Sequence, residues 1–207
     1  MDKTKVLQKY LPLEAAPIIA RWIDHFQCEF KISRSRTTKF GDYRPPFNGK
    51  GHRISVNFNL NPYAFLVTTV HEFAHLQTWN EHGRKAKPHG SEWKVNFKKM
   101  MRPFFEKTLF PDDIKAAIIN YLDNPAASSC SDLNLFRALR RYDASPSNAK
   151  TVESLPLNAV FCLKDNRVFR KDTLIRKRFR CTEVKTGRVY LFNPLAEVYH
   201  LENKDNS

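Results

Sequence analysis

An α+β fold is predicted for this 207-residue chain on three observations. Apolar residues recur at helical spacing near the start and then alternate with period two; a long run at helical spacing follows and carries a histidine cluster; and the last quarter breaks into short β-type runs separated by turn residues. The chain divides on this reading into a helix-rich domain over residues 1–142, a linker over 143–156 and a small basic β-rich unit over 157–207. A hydrophobic content of 42% is enough for one domain with a real core and a smaller appendage.

Each element has a local reason. Within residues 12–27, Ala16, Ile19, Ala20, Ile23 and Phe26 fall at helical intervals, and residues 28–35 shift to period two, so a helix followed by a strand is expected. Pro45, Pro46, Asn48 and Gly49 mark a loop, and residues 54–60 alternate again. The next helix shows Leu66, Val70, Phe73, Ala74 and Gln77 at three- and four-residue steps, with Asn61 and Pro62 suited to its start and Gly83 to its end. Ser91 is placed to cap a helix over 91–107 that Pro103 ends or kinks. Two further helices are expected over 111–122 and 133–142. Residues 143–156 hold Ser145-Pro146-Ser147-Asn148 and end in Leu155-Pro156, which reads as a linker. Beyond them Val160, Val168, Leu174, Phe179, Val189 and Tyr190, punctuated by Asp165-Asn166 and Thr186-Gly187, predict a small antiparallel unit.

The chemistry concentrates in one stretch. Residues 71–75 read His-Glu-Phe-Ala-His, and His89 follows fourteen positions later. Two histidines four apart on a helix leave the same face one turn apart, close enough to share a tetrahedral ion at ~2.0–2.1 Å. Glu72, one residue along, then reaches a water beside the metal rather than the metal. The third ligand follows from elimination. A metzincin would need Gly and His at the third and sixth positions after the second histidine, where this chain has Thr78 and Glu81. His82 lies seven residues past His75, ~10 Å along the helix axis, too far to join the same ion. His89 is better placed than the alternatives Glu92 and Glu106, because Gly83 ends the helix and residues 84–88 form a turn-prone loop that can return the chain to the metal.

Together, His71-Glu72-Phe73-Ala74-His75, Trp79, Gly83-Arg84 and His89-Gly90-Ser91-Glu92-Trp93-Lys94 resemble the SprT/Spartan metallopeptidase family. Arg36-Thr37-Thr38-Lys39-Phe40-Gly41 and Arg53-Ile54-Ser55-Val56-Asn57 are similar to that family's strand pair ahead of the active helix, so the resemblance spans residues 15–107. It implies a zincin-like metallopeptidase domain, with helices packed on a small antiparallel sheet. It also implies His71, His75 and His89 as ligands of one Zn2+ per chain, Glu72 as the catalytic base, and action on proteins bound or crosslinked to DNA. Zinc lowers the pKa of a water from 15.7 to ~7, within reach of a carboxylate base. Tyr63, Arg44 and His82 are the candidates for stabilising the oxyanion. Many relatives end in a zinc ribbon with two cysteine pairs. Here Cys162 and Cys181 stand without close partners, so the chain reads as a bacterial-type short member with a degenerate, metal-free tail.

Charge supplies the second clue. Lys and Arg number 35 against 21 Asp and Glu, a net of +14 that favours anionic partners. Residues 157–190 alone carry ten basic and three acidic side chains, half that excess, interleaved with Phe161, Phe169, Phe179 and Tyr190. Such a strand-built surface suits single- or double-stranded DNA through Arg176, Lys177, Arg178 and Arg180, and equally suits a merely solvated sheet face. Arg84, Lys85 and Lys87 form a second basic stretch leading to His89, a further candidate for nucleic-acid phosphates and equally a solvated loop. A non-catalytic zinc-containing DNA-binding protein and a soluble peptidase with an incidental basic surface remain as alternatives. Cys28, Cys130, Cys162 and Cys181 are scattered, which fits reduced thiols, and neither a signal core nor an eighteen-residue apolar run is present. A cytoplasmic, non-membrane protein is expected, with association with the nucleoid as a variant. No internal repeat or heptad run argues for assembly, so a monomer is expected.

Overall fold

The computed structural model describes residues 2–36, 39–123, 132–143 and 150–201. These form an α+β arrangement with six α-helices and two sheets, in two compact units, Met1–Ala144 and Ser145–Ser207. No helix among the described residues is long and apolar enough to cross a membrane.

The first unit opens with a short helix that the periodicity did not announce, α1 (Lys3–Leu7), whose N-terminus is capped by the Asp2 side chain. α2 (Ala16–His25) buries Ala16, Ile18, Ile19, Ala20 and Ile23, with Pro17 in its first turn where no N–H is missed. β1 (Glu29–Ser33), β2 (Gly41–Arg44) and β3 (Arg53–Asn57) pair in the order β1-β3-β2. An antiparallel sheet was expected, and the structure corrects this to a mixed one. β2 and β3 are antiparallel while β1 and β3 are parallel. The reason is the route of the chain: it crosses from β1 to the far edge, runs along β2, and turns back so that β3 fills the gap. Asn48 (φ 46°) and Gly49 (φ 74°) make that reversal, two successive left-handed residues of the kind a tight hairpin requires. The connection before β2 is anchored by Arg36, which donates to the Asn57 side chain (2.8 Å), the Ser55 hydroxyl (3.1 Å) and the Ser55 carbonyl (3.3 Å). Thr37 and Thr38 of the family-like segment lie outside the described residues.

α3 (Pro62–His82) is the central element, with side chains buried on every side of it. Its ends are those expected. The Asn61 carboxamide oxygen accepts from the N–H groups of Tyr63 and Ala64, and Gly83 terminates the helix at φ 58°. The Asn61 amide also donates to the Leu139 carbonyl and the Asp143 carboxylate, tying the start of α3 to the far end of the unit. α4 (Ser91–Glu106), α5 (Asp112–Asp123) and α6 (Leu133–Arg140) complete it. Ser91 is the first residue of α4 rather than its cap. Gly90 occupies the cap position, and the Ser91 hydroxyl donates to Glu92 instead. α4 also continues through Pro103 to Glu106. Phe65, Phe73, Trp93, Phe97, Phe104 and Tyr121 are the largest fully buried side chains of this core.

The second unit is a six-stranded antiparallel sheet in the order β4-β9-β5-β6-β7-β8. Its strands are β4 (Lys150–Thr151), β5 (Val160–Cys162), β6 (Val168–Ile175), β7 (Arg178–Glu183), β8 (Val189–Phe192) and β9 (Glu197–His200). Asn166 (φ 64°) and Gly187 (φ 69°) sit in two of its turns, as the sequence indicated, and Arg176 (φ 56°) in a third that it did not. The expected linker is corrected here. Residues 150–155 are built into the unit, with Val152 and Leu155 in its core beside Phe161, Phe169, Cys181 and Val198. The buried Lys171 ammonium donates to the Glu153 and Leu155 carbonyls, so a polar anchor reinforces an apolar one. The rest of that segment up to residue 149, from 144, lies outside the described residues, as does Cys130.

Candidate metal centre

The site is assembled by α3, the loop after it and the edge of the small sheet. His71 and His75 stand one helical turn apart, and Glu72 is rotated by ~100° from His71, so the imidazoles and the carboxylate leave α3 in different directions. The imidazoles face the start of α4. The carboxylate faces β2.

His89 reaches the same point from a tight turn. The Gly90 N–H donates to the Lys87 carbonyl at 2.9 Å, which closes Lys87-Pro88-His89-Gly90 into a β-turn. Pro88 suits its second position, but the third requires positive φ, and His89 adopts φ 59°. A histidine held in this conformation carries backbone strain of about 1–3 kcal/mol, of the sort found where a side chain is aimed at a site. The result is a convergence of three Nε2 atoms: His71 to His89 3.1 Å, His71 to His75 3.2 Å, and His75 to His89 2.9 Å. Trp93 forms the floor. Its indole is fully buried and its ring lies 4.6 Å from that of His71, 5.3 Å from His75 and 4.7 Å from His89. Its Nε1–H donates to the His71 carbonyl at 3.4 Å. Phe97 stacks beneath at 5.1 Å.

Burial dominates the electrostatics. It holds His71 well below the ordinary imidazole range, with His75 and His89 adding to the effect, and brings His75 down to about 3. His89 is lowered for the same reason. All three are therefore neutral at pH 7, the form that offers a lone pair to a metal. Burial also pushes Glu72 up to about 8, helped by the nearby Asp42 carboxylate and opposed by Arg36, Lys39 and the Tyr43 backbone N–H. Asp42 is itself held low by its bonds to Lys39 (2.7 Å) and Arg44 (2.9 Å), which outweigh its burial.

The Glu72 berth depends on the absence of a side chain at Gly41. A Cβ there would lie 2.8 Å from Glu72 Cγ and 2.8 Å from Thr68 Cγ2, and closer still to Glu72 Oε1. Two residues on, and so on the same strand face, Tyr43 stacks parallel to His75 (4° between planes, 6.3 Å between centroids). Its phenol bonds His52 Nδ1 at 2.9 Å, and burial pushes that phenol up beyond the usual tyrosine range. Gly41, Tyr43 and Trp93 were not singled out for roles by the sequence. Strand alternation from Gly41 is the signal that could have found Tyr43.

A cleft of about 570 Å3 opens over these groups. Its lining includes His71, Glu72, His75 and His89, together with Arg84 and Lys87, but not Lys85. Glu92, the alternative ligand, stands outside the histidine cluster, half-buried at the start of α4. The three oxyanion candidates do not line the cleft. Tyr63 packs on Phe110 and Tyr142, Arg44 pairs with Asp42, and His82 sits exposed 3.6 Å from Glu81. Arg176 and Lys177 form the turn between β6 and β7, and Arg178 and Arg180 follow on β7, all four exposed.

The donor set fits a metal ion. In a closed triangle of three Nε2 atoms each nitrogen can either donate or accept but not both, so the three contacts cannot all be hydrogen bonds, and the His71 Nδ1 has no partner among the described residues. Tetrahedral coordination at ~2.0–2.1 Å would set the nitrogens ~3.3 Å apart, close to the separations found. The three histidines are thus near enough to hold one metal ion. Comparison of the chain with protein-family models, with curated proteins and with solved structures finds no match.

Proposed function

We propose that the protein is a zinc-dependent endopeptidase with a zincin-like, SprT/Spartan-like first unit, acting on proteins bound or crosslinked to DNA. The observation that carries the reading is the convergence of His71, His75 and His89 within 3.2 Å, with the Glu72 carboxyl on the neighbouring helix position and an open cleft above. Three imidazoles suit zinc, and a zinc ion so bound supplies Lewis acidity, lowering the pKa of a water to ~7 and polarising a carbonyl oxygen. Glu72 accepts the proton of the attacking water and returns it to the departing amine. A buried carboxyl one helix position from the first histidine and lining the same cleft is placed for both transfers. Gly41 and the Tyr43 N–H hold that carboxyl in place. Trp93 fixes the three rings and keeps water from beneath them. A purely structural metal site has no use for a buried carboxyl beside a cleft, which weighs against a non-catalytic protein.

The DNA part of the reading rests on the exposed Arg176, Lys177, Arg178 and Arg180 and on the net charge of +14. The test is zinc-dependent cleavage of a DNA-bound protein with single-stranded DNA, double-stranded DNA or none, using Glu72→Gln as the control. Cleavage that needs zinc and Glu72 supports the peptidase. Indifference to DNA, together with binding that does not change between low and moderate salt, removes the nucleic-acid part.

A further inference from the structure

The fixed charges of the cleft do not balance. Three cations line it, Lys39, Arg84 and Lys87, against two carboxyl groups, Asp42 and Glu72. Asp42 is committed: its two oxygens take Lys39 and Arg44. Glu72 is buried against Gly41. Among the described residues neither Arg84 nor Lys87 makes an ion pair, and both are exposed. They also sit on the loop that delivers His89. Lys87 shares with it the turn closed by the Gly90 N–H, and Arg84 lies in the 3-10 turn Gly83–Lys85 just before. The 39–45 segment adds the apolar Phe40, Tyr43 and Pro45 to the lining, beside the mutually paired Lys39 and Asp42.

The geometry points to a substrate preference that deepens the peptidase reading and rests on it. The cleft selects an extended peptide segment carrying Asp or Glu beside the scissile bond, with that carboxylate seated at Arg84 and Lys87 and an apolar neighbour against Phe40 and Tyr43. A carboxylate supplies the missing counter-charge, whereas a lysine side chain in the same place would meet two cations. Nucleic-acid phosphates would also satisfy Arg84 and Lys87; a peptide is the occupant proposed, because both cations line the cleft that holds Glu72 and the three histidines, and the oligonucleotide arm of the test separates the two. Lys85, outside the lining, has no part in peptide recognition.

The test uses the full-length, zinc-loaded Glu72→Gln protein, so that bound peptide is not consumed. Three labelled extended peptides identical except for one residue, Glu, Gln or Lys, are titrated by fluorescence anisotropy. The Glu peptide should bind about three- to tenfold more tightly than the Gln peptide at low ionic strength, the range expected of two exposed charge pairs, and the Lys peptide more weakly than either. The order should collapse at about 0.5 M salt and invert in Arg84→Glu/Lys87→Glu, with zinc content unchanged. Equal binding of the three peptides overturns the proposal. So does an order that survives the double reversal, including the case where the reversal abolishes binding of a short single-stranded oligonucleotide alone. If the preference and its inversion hold while the wild type cuts none of these peptides, the cleft's selection of an acidic segment stands as binding, and the peptidase reading falls together with the placement beside a scissile bond. If the wild type cuts all three at equal kcat/KM, the peptidase stands and the preference falls.

Discussion

Replacing Gly41 with alanine tests the placement of Glu72 without touching a histidine. The added Cβ would stand 2.8 Å from Glu72 Cγ and from Thr68 Cγ2. Carbon atoms settle at ~3.5–4.0 Å, so the shortfall is roughly 0.7–1.2 Å on each contact. Neither backbone can retreat easily, because Gly41 is paired with Val56 across the sheet and Thr68 is buried on α3. The soft coordinate is the Glu72 side chain, which swings out of its berth and leaves the Tyr43 N–H behind. Overpacking of this kind costs about 1–3 kcal/mol, a fall in Tm of roughly 2–12 °C for a domain of this size. Loss of a positioned general base costs about 10²–10⁴ in kcat. The assay pairs a thermal melt and zinc analysis with the rate on a peptide substrate: stability and rate should fall while zinc stays at one per chain. A variant that melts and cleaves like the wild type would mean that Glu72 is not seated against Gly41, and the reasoning fails.

Four further outcomes follow from the same geometry. Glu72→Gln should keep zinc and lose hydrolysis, whereas His75→Ala or His89→Ala should lose both; zinc analysis alongside the rate separates them, and full cleavage by zinc-replete Glu72→Gln refutes the general-base role. Trp93→Ala, which removes the floor under three imidazoles, should destabilise by about 3–5 kcal/mol in urea and weaken zinc binding as well, and unchanged zinc affinity would show that the indole does not position the ligands. Acid should weaken the zinc-free protein. The three histidines have folded pKa values below 6.5, so below that pH they bind more protons in the unfolded chain and stability falls as pH falls, by ~1.4 kcal/mol per pH unit for each histidine still neutral, while Glu72, raised to about 8, opposes this by one such increment per unit down to about 4.5, leaving the histidines dominant. For His75 the loss ends only near pH 3, and a Tm that stays flat from pH 7 to 5 would contradict the burial argument. Lys171→Met should leave the Glu153 and Leu155 carbonyls without their charged donor and destabilise the second unit by ~1.5–3 kcal/mol, read as a shift in its urea midpoint, with no change there if the anchor carries nothing.

Much of the first unit was legible from local signals. Asn61, Pro62 and Gly83 bounded the central helix because capping chemistry depends on a few neighbouring residues. Other signals misled. Gly90 took the cap position expected of Ser91, since the turn that places His89 leaves Gly90 extended (ψ −173°) and ready to start the helix. The expected linker misread residues 150–155, because a segment that opens on Ser145-Pro146-Ser147-Asn148 and closes on Leu155-Pro156 looks like a linker until a sheet edge and a buried lysine receive part of it. The mixed sheet was hidden for a related reason: strand direction depends on which gap a returning strand fills, and nothing local to β1 or β3 records it.

The sequence by itself picked out the three histidines that come together. A spacing of four on a helix and a glycine that ends that helix leave few ways to bring three histidines together, and His71, His75 and His89 do converge. Only the tertiary structure decided what surrounds them. Gly41 makes room for Glu72, Tyr43 lies along His75, Trp93 underlies all three rings, and Arg84 and Lys87 line the cleft with no ion pair among the described residues, while Lys85 lies outside the lining. The physical reason is range. Helix periodicity and caps act over one or two turns and are written in neighbouring residues, whereas the berth of a carboxyl and the charge balance of a cleft are set by side chains brought together from β2, α3 and α4.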